Sequence, residues 1–598
     1  MSTSPTATTE SILERSDALS MGSDDVEPDI EEKVDRAVEV IAHQIRAGRR
    51  LIVACSFGKD SSVTLALALR AMKALRASGE PVPELHVMNS DTLLENPVVH
   101  AYAQGEIRAL KDYAARENLP VRVWVCSPSL SNNYLVNLIG GRTIASMPDN
   151  SAKCQQSLKA APLERTKRKI RAIVKAELGK TFREDSLVTL IGTRRDESAT
   201  RARNMDKRGE SAFEPVNVLA DKGGQSWVLS PIADFTTLDV FEFLGYVTSG
   251  LYDTYSDFRA LTEVYRDSAA GECMVTIFST GRAQGRTACG ARHGCWTCTR
   301  VQSDKSMENM LAEESGKYAW MQPLNDFRNY LKARHYDPAA RNWLPRTVDP
   351  DTGRVKIAPN AYSPQFTLEL LRLALSIDAD EITWARAHRR PVRFTLLTAQ
   401  DLIGIDVLWG RYAYQPPFTA IREYLDIFEG GKRYRVPATL PEFDRAALDV
   451  KQSVDVPFAD EHYWDLYEGF RSLRHAAGEC EHLVEKGGVF YEDAQVGDEF
   501  EVDEEGAALF FEFELEHALA YYGPDSQVAP SAAVHYLMNL GTVQINKGGH
   551  SEWDRMLRVG NQIHRHGLQP ILNNPKALIE RLTSWDRARH APRASASA

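Results

Sequence analysis

The segment Leu51-Ile52-Val53-Ala54-Cys55-Ser56-Phe57-Gly58-Lys59-Asp60-Ser61-Ser62-Val63 constrains the fold of this chain more than any other. Four apolar residues run into a Ser/Gly/Lys/Asp/Ser turn, and the turn runs into an Ala/Leu-rich stretch, Thr64 to Ala77, of helical composition. The reading is strand, turn, helix. At such a junction the unpaired N–H groups of the first helical turn and the positive end of the helix dipole face outward and can hold an anion. Lys59 and the hydroxyls of Ser56, Ser61 and Ser62 would then surround a phosphate, with Phe57 and Gly58 shaping the loop.

The flanking sequence repeats the alternation. Ile30 to Ala47 carries apolar residues at Val34, Ala37, Val38, Val40, Ile41 and Ile45, the spacing of an amphipathic helix. Glu84 to Thr92 reads as a second strand with a polar tip, followed by a helix to about Asn118 and a third strand, Val121 to Val125. A fourth strand, Leu187 to Ile191, runs into Gly192-Thr193-Arg194-Arg195-Asp196-Glu197-Ser198. This pattern predicts an α/β fold, a parallel sheet with helices on both faces, whose ligands lie beyond the carboxyl ends of the strands. Asp91 falls at such an end and, with Asp60, is a candidate for Mg²⁺ against a triphosphate; its alternative role is a helix N-cap. Gly192 lets the later turn close, and the arginines there present planar forks suited to phosphate or sulfate.

At 598 residues, 43% of them hydrophobic, the chain is long enough for several domains. A net charge of -11 argues against non-specific coating of nucleic acid, so any such contact needs a local basic patch. The Arg/Lys-dense helix expected up to Lys175 is one candidate. No signal peptide or membrane-spanning apolar run is evident, which leads us to expect a cytoplasmic protein with no membrane partner. The expected divisions are a disordered tail over 1–27, an ATP-site domain over 28–265, a cysteine segment over 266–315, a helical region over 316–435 and a charge-segregated C-terminal extension over 436–598.

Four of the eight cysteines, Cys273, Cys289, Cys295 and Cys298, follow the pattern C-x15-C-x5-C-x2-C. The C-x2-C pair can place two thiolates on one metal centre, and this clustering suits an intracellular metal or redox site better than a disulfide framework. Spacing alone leaves zinc and an iron–sulfur cluster both open.

The first turn is not a Walker A loop, because Val53 and Asp60 stand where that motif needs Gly and Ser/Thr. It resembles the PP-loop, commonly Ser-Gly-Gly-Lys-Asp-Ser, of enzymes that split ATP between its α and β phosphates, with Phe57 in place of the first Gly. With Gly192-x-Arg194-x-x-Glu197-Ser198-x-x-Arg201-Ala202 and the Pro231-Ile232 and Asp239-Val240-Phe241 segments, it is similar to the phosphoadenosine phosphosulfate reductase superfamily. The core Gly294-Cys295-Trp296-Thr297-Cys298-Thr299, then Asp304-Lys305-Ser306-Met307, resembles more closely the sulfurtransferase subunit of DNA phosphorothioation systems, the DndC type with its SspD relatives. The resemblance covers about Val34 to Tyr434.

It implies an adenine nucleotide alpha hydrolase-like domain, a Cys-rich cluster segment and a mainly helical C-terminal part. It further implies ATP, Mg²⁺ and a [4Fe–4S] cluster on Cys273, Cys289, Cys295 and Cys298. ATP would meet Ser56 to Ser62, Asp91, Gly192, Arg194, Glu197, Ser198 and Arg201, and catalysis would fall to Lys59, Asp60 and Cys154. The implied partners are DNA, a cysteine desulfurase as sulfur donor and other subunits of the phosphorothioation system. Cys154 has three readings: a persulfide relay, a cluster ligand in place of Cys273, or a packed thiol. Rival functions are an assimilatory sulfonucleotide reductase, a tRNA thiolase, and a non-catalytic nucleotide-gated scaffold in a defence complex.

Overall fold

The structure is a computed structural model that describes residues 29–149, 153–219, 225–268, 294–346, 354–450, 452–455, 469, 482–486, 489–493, 499–523, 527–546 and 549–590. Its chain divides into two compact units, one of residues 1–85, 112–122 and 181–258, the other of residues 86–111, 123–180 and 259–598. The expected tail and Cys273 and Cys289 lie outside the described residues.

Helix α1 (Ile30–Arg46) opens the first unit, capped by the Asp29 carboxylate, which accepts from the Glu32 amide at 2.9 Å. Its Val34, Ala37, Ile41 and Ile45 are buried, as their spacing predicts. Strand β1 (Arg50–Ala54) is buried through its three central residues and leads into helix α2 (Lys59–Ala77). From Ser61 to Leu69 every residue of α2 is buried, so this helix is enclosed on all sides. The other strands of the main sheet are β2 (Leu85–Ser90), β3 (Val121–Cys126), β4 (Leu187–Ile191), β5 (Val216–Leu219) and β6 (Gln225–Leu229), and helix α3 (Pro97–Arg116) lies between β2 and β3 in sequence.

The six-stranded sheet has the order β3-β2-β1-β4-β6-β5. Strands β1 and β4 run parallel with Arg50 opposite Leu187 and Ala54 opposite Ile191, and β4 and β6 are parallel as well. The sheet is therefore mostly parallel, but β5 pairs antiparallel with β6. Sequence reading missed both of these strands. Val216 to Leu219 is too short to establish a period of two, and Trp227-Val228-Leu229 is an apolar run indistinguishable from the end of a helix.

The second unit is mainly helical. Helices Pro364–His388, Ala399–Tyr412 and Thr419–Phe428 share one apolar core with Tyr134, Trp296, Met307 and Phe327. The same core takes in Phe500, Phe510, Val534, Val543 and Trp553, so the described part of the C-terminal extension is packed into the helical region. Polar staples reinforce this core. Glu499 pairs with Arg142 and, at 2.5 Å, with Arg411. Trp409 Nε1 donates to the Ile139 carbonyl at 2.8 Å. Asp378 accepts from the Leu396 and Leu397 amides, and Asp406 from those of Ala420 and Ile421, so two buried carboxylates tie down the loops between helices. Among the described residues no helix is long and apolar enough to cross a membrane.

Candidate active site: an anion turn and a thiol site

In the first unit the turn after β1 is built from its own residues. Gly58 is the N-cap of α2, so Lys59 to Ser62 form its first turn; the helix starts five residues before Thr64, where composition alone placed it. The amides of Lys59, Asp60 and Ser61 lack partners within the helix, the first helical bond being that of the Ser62 amide to the Gly58 carbonyl at 2.9 Å, and they give the anion-binding end that the sequence predicts. Phe57 has φ 56°, the left-handed conformation for which Gly is the usual residue. The phenyl ring is 1% exposed and meets Tyr255 edge-on at 6.4 Å, so burial of an aromatic side chain offsets the roughly 1–2 kcal/mol cost of that backbone. The turn thus holds a left-handed residue without using Gly.

Three hydroxyls were candidates for the phosphate. Ser61 Oγ accepts from the Ser56 amide at 3.2 Å and donates to the Gly58 carbonyl at 3.1 Å, which closes the loop. Ser62 is fully buried, which takes its hydroxyl away from the surface of the turn, whereas Ser56 is exposed. Charges are paired with equal economy. Lys59 Nζ lies 2.7 Å from Asp60 Oδ2, and Asp60 Oδ1 accepts from Arg194 Nε at 2.6 Å. Arg194, 1% exposed, also donates to the Phe235 carbonyl at 3.3 Å. It is a positioning residue that holds Asp60, not a fork open to solvent.

Gly192 has a steric reason to be glycine. A Cβ there would stand 2.8 Å from the Asp60 carbonyl carbon and 2.9 Å from the Ser61 amide nitrogen. Ser198 caps the helix Ala199–Arg208 by accepting from the Arg201 amide, and Arg201 pairs with Glu197 one turn away. Glu197, Ser198 and Arg201 therefore organise a helix start, a role their motif alone did not reveal.

In the second unit the thiols are assembled from distant segments. Cys295 pairs with Glu95 in an isolated antiparallel bridge, the Trp296 amide donates to the Leu94 carbonyl at 2.9 Å, and Thr92 Oγ1 is 3.6 Å from Cys295 Sγ. The Cys298 amide donates to the Cys295 carbonyl at 3.0 Å, which closes the C-x2-C turn. Arg328, 1% exposed, donates to the Cys298 carbonyl at 2.9 Å and to that of Gln302 at 3.2 Å. Thr299 Oγ1 donates to the Ser146 carbonyl at 2.8 Å, and the Ser146 hydroxyl reaches Cys154 Sγ at 3.6 Å. The Tyr134 phenol in this unit is pushed well above its ordinary range, chiefly by burial. Burial also raises the Cys295 thiol. Cys154 is thus brought to Cys295 and Cys298, and all three are only partly buried, in contrast to Cys55 and Cys126.

Beside this bridge, Asp91, Glu95 and His100 each offer a ligand atom, all within 4.8 Å of one another, a carboxylate and imidazole set that fits a divalent cation. Glu95 is pushed up by burial and by the neighbouring Asp91 carboxylate. Asp91 Oδ1 accepts from the Leu93 amide at 2.9 Å, while Asn96 serves the start of α3 by accepting from the Val98 amide. Glu95 and His100 escaped the sequence reading, although Asp91, Glu95 and His100 lie within ten residues of one another.

A mostly parallel α/β sheet whose first strand opens into a helix N-terminus carrying a lysine defines the class of folds that bind anions beyond their strand ends. Within that class, residues 50–301 match the family model of the phosphoadenosine phosphosulfate reductase domain, whose members are largely enzymes of sulfur–nucleotide or ATP-related chemistry. The match includes both the anion turn and the C-x2-C pair. No curated protein matches the chain.

Proposed function

We propose that the protein is an ATP-dependent sulfurtransferase of a DNA phosphorothioation system. The observation that carries this reading is the link from the Cys295–Cys298 turn through Thr299 and Ser146 to Cys154, in a segment that also holds the anion turn and matches a sulfur–nucleotide family. In the reaction, a non-bridging oxygen of a DNA phosphate attacks the α-phosphorus of ATP and expels pyrophosphate. Lys59 and the α2 amides stabilise the charge that develops, with Asp60 held in register by Arg194. Asp91, Glu95 and His100 would hold the divalent cation. The terminal sulfur of a cysteine persulfide, loaded by a desulfurase, displaces AMP from the activated DNA phosphate. A second thiolate then attacks the S–S bond, releasing the phosphorothioate and leaving a disulfide for a thiol reductant to open.

The metal centre of this reading is a [4Fe–4S] cluster, the group implied by the resemblance of the Gly294-Cys295-Trp296-Thr297-Cys298 core. Cys154, Cys295 and Cys298 would supply three ligands and either Cys273 or Cys289 the fourth; the cluster would serve as a sulfur or electron carrier. Pyrophosphate release from ATP in the presence of DNA tests the reading. Lys59→Ala should abolish it; undiminished release from that variant, or none from wild type with DNA and partner subunits, would contradict it.

A further inference from the structure

Helix Ala161–Leu178 concentrates positive charge in an acidic chain. From Lys159 to Lys180 eight Lys and Arg stand against two acids, Glu164 and Glu177, while the net charge of the whole is -11. The helix buries Ile170 and Val174 and presents Arg168, Lys169, Ala172, Lys175 and Ala176 to solvent on its far side. Exposed cations elsewhere find carboxylates, as Arg46 does with Glu80 at 2.9 Å, Arg122 with Glu84 at 3.1 Å and Lys432 with Asp426 at 2.6 Å. Among the described residues Arg168, Lys169 and Lys175 have no such partner. Lys175 complements the dipole in the last turn, but Arg168 and Lys169 stand mid-helix, where the dipole offers a cation nothing.

This row is continuous with the thiol site. The turn Lys153–Gln155, which carries Cys154, runs through the π-helical segment Gln156–Ala160 into Ala161–Leu178 without a break. At about 1.5 Å per residue the rod extends about 30 Å from Cys154 to Lys175. Lys159 is exposed between them, and its charge opposes the effect of burial on the Cys295 thiol.

The exposed face selects a polyanion. It holds no large apolar side chain, which a membrane surface would require. The helix has no aromatic ring on which an unpaired base could stack, and no Asn or Gln to read a base edge. What it offers is charge, with Ala172 and Ala176 leaving room between the cations for close approach.

We infer that this face holds the phosphate backbone of duplex DNA, independently of base sequence, and lays the duplex along the rod that begins at Cys154. The choice of DNA rests on the function proposed above; the preference for a paired polyphosphate does not.

Fluorescence anisotropy of labelled duplexes of two unrelated sequences, titrated with full-length protein without ATP over about 50–200 mM salt, tests this. The three side chains are exposed, so a variant combining Arg168→Gln, Lys169→Gln and Lys175→Gln should leave thermal unfolding unchanged. Its slope of log K against log salt should be shallower by about 2–3, and its binding at least about tenfold weaker, equally on both sequences. Arg168→Lys, which keeps the charge, should retain the slope. No binding by wild type at low salt, or an unchanged slope in the triple variant, would overturn the surface, and a loss confined to one sequence would overturn backbone recognition. Tighter binding of single strands, duplex RNA or anionic vesicles through the same three residues would overturn duplex DNA as the occupant. Duplex binding through the row by a wild type that releases no pyrophosphate would sink the sulfurtransferase reading alone. Pyrophosphate release by the wild type, with undiminished duplex binding by the triple variant, would sink this surface alone.

Discussion

The anion turn and the thiol site are built in opposite ways. The turn is contiguous: Ser56 to Ser62 close on one another through Ser61, and its long-range supports are Arg194, Gly192 and the Phe57–Tyr255 contact. The thiol site is assembled from residues 92–95, 146–154 and 295–299, with Arg328 gripping the C-x2-C turn by its carbonyls. A contiguous site tolerates change in one residue when the backbone conformation is kept, as Phe57 does. An assembled site depends on the single buried group that joins its segments.

That contrast is most exposed at Arg328. Replacing it by Met takes the guanidinium from the Cys298 carbonyl, while the carbonyls of Val301 and Gln302 keep Lys332 Nζ at 3.1 and 2.8 Å, so the loss should be about 1–3 kcal/mol. Thermal unfolding should show it, together with a lower iron content if the proposed cluster is present. An unaltered melting temperature would mean that the thiol site is held some other way.

Gly192→Ala probes the turn. The added methyl meets Asp60 and Ser61 backbone, which cannot yield as a side-chain tip would, so the start of α2 must shift. We expect about 1–3 kcal/mol of destabilisation and at least a tenfold loss of pyrophosphate release, measured by denaturant unfolding and a coupled phosphate assay. Full activity would show that the turn is looser than its contacts imply.

The helical core that carries the thiols should also respond to pH. Burial pushes Asp378 and Asp406 up to about 7, against the hydrogen bonds from the loop amides. A carboxyl raised in the folded state stabilises fully below its unfolded pKa and loses that contribution as pH rises through the folded value. Stability of this unit should therefore fall between pH 5 and pH 8, by about 1–3 kcal/mol per group, and Asp406→Asn should flatten the fall. A pH-independent melting curve over that range would refute it.

The smallest effect on activity is expected at Phe57→Gly. Removing the buried ring costs about 3–5 kcal/mol, and relief of the left-handed backbone returns about 1–2 kcal/mol, so a net loss of about 1–4 kcal/mol should appear in unfolding while pyrophosphate release is retained. A stabilised variant would show that the ring contributes little.

The same contrast explains what could be read from the sequence. The turn was legible because strand, turn and helix are adjacent, but the inward hydroxyls of Ser61 and Ser62 and the burial of Arg194 on Asp60 were not, since sequence does not show which way a polar side chain faces. Cys154 was noticed but could not be assigned, because its neighbours lie more than a hundred residues away. Asp91 was found at a strand end, whereas Glu95 and His100 have no motif and are joined to it only by the fold of the following loop. The antiparallel β5 was lost for want of length, and the packing of the C-terminal extension for want of any local signal that Phe500 and Trp553 join the core rather than face solvent.

The most direct test is the iron and acid-labile sulfide content of anaerobically purified protein, for wild type and for Cys154→Ser, Cys273→Ser, Cys289→Ser and Cys295→Ser. The account predicts near-stoichiometric iron and sulfide in wild type, lost in Cys154→Ser as fully as in Cys295→Ser, and retained in one of the Cys273 and Cys289 variants. A Cys154→Ser protein with its full iron and sulfide, or a wild type that holds zinc in their place, would contradict it.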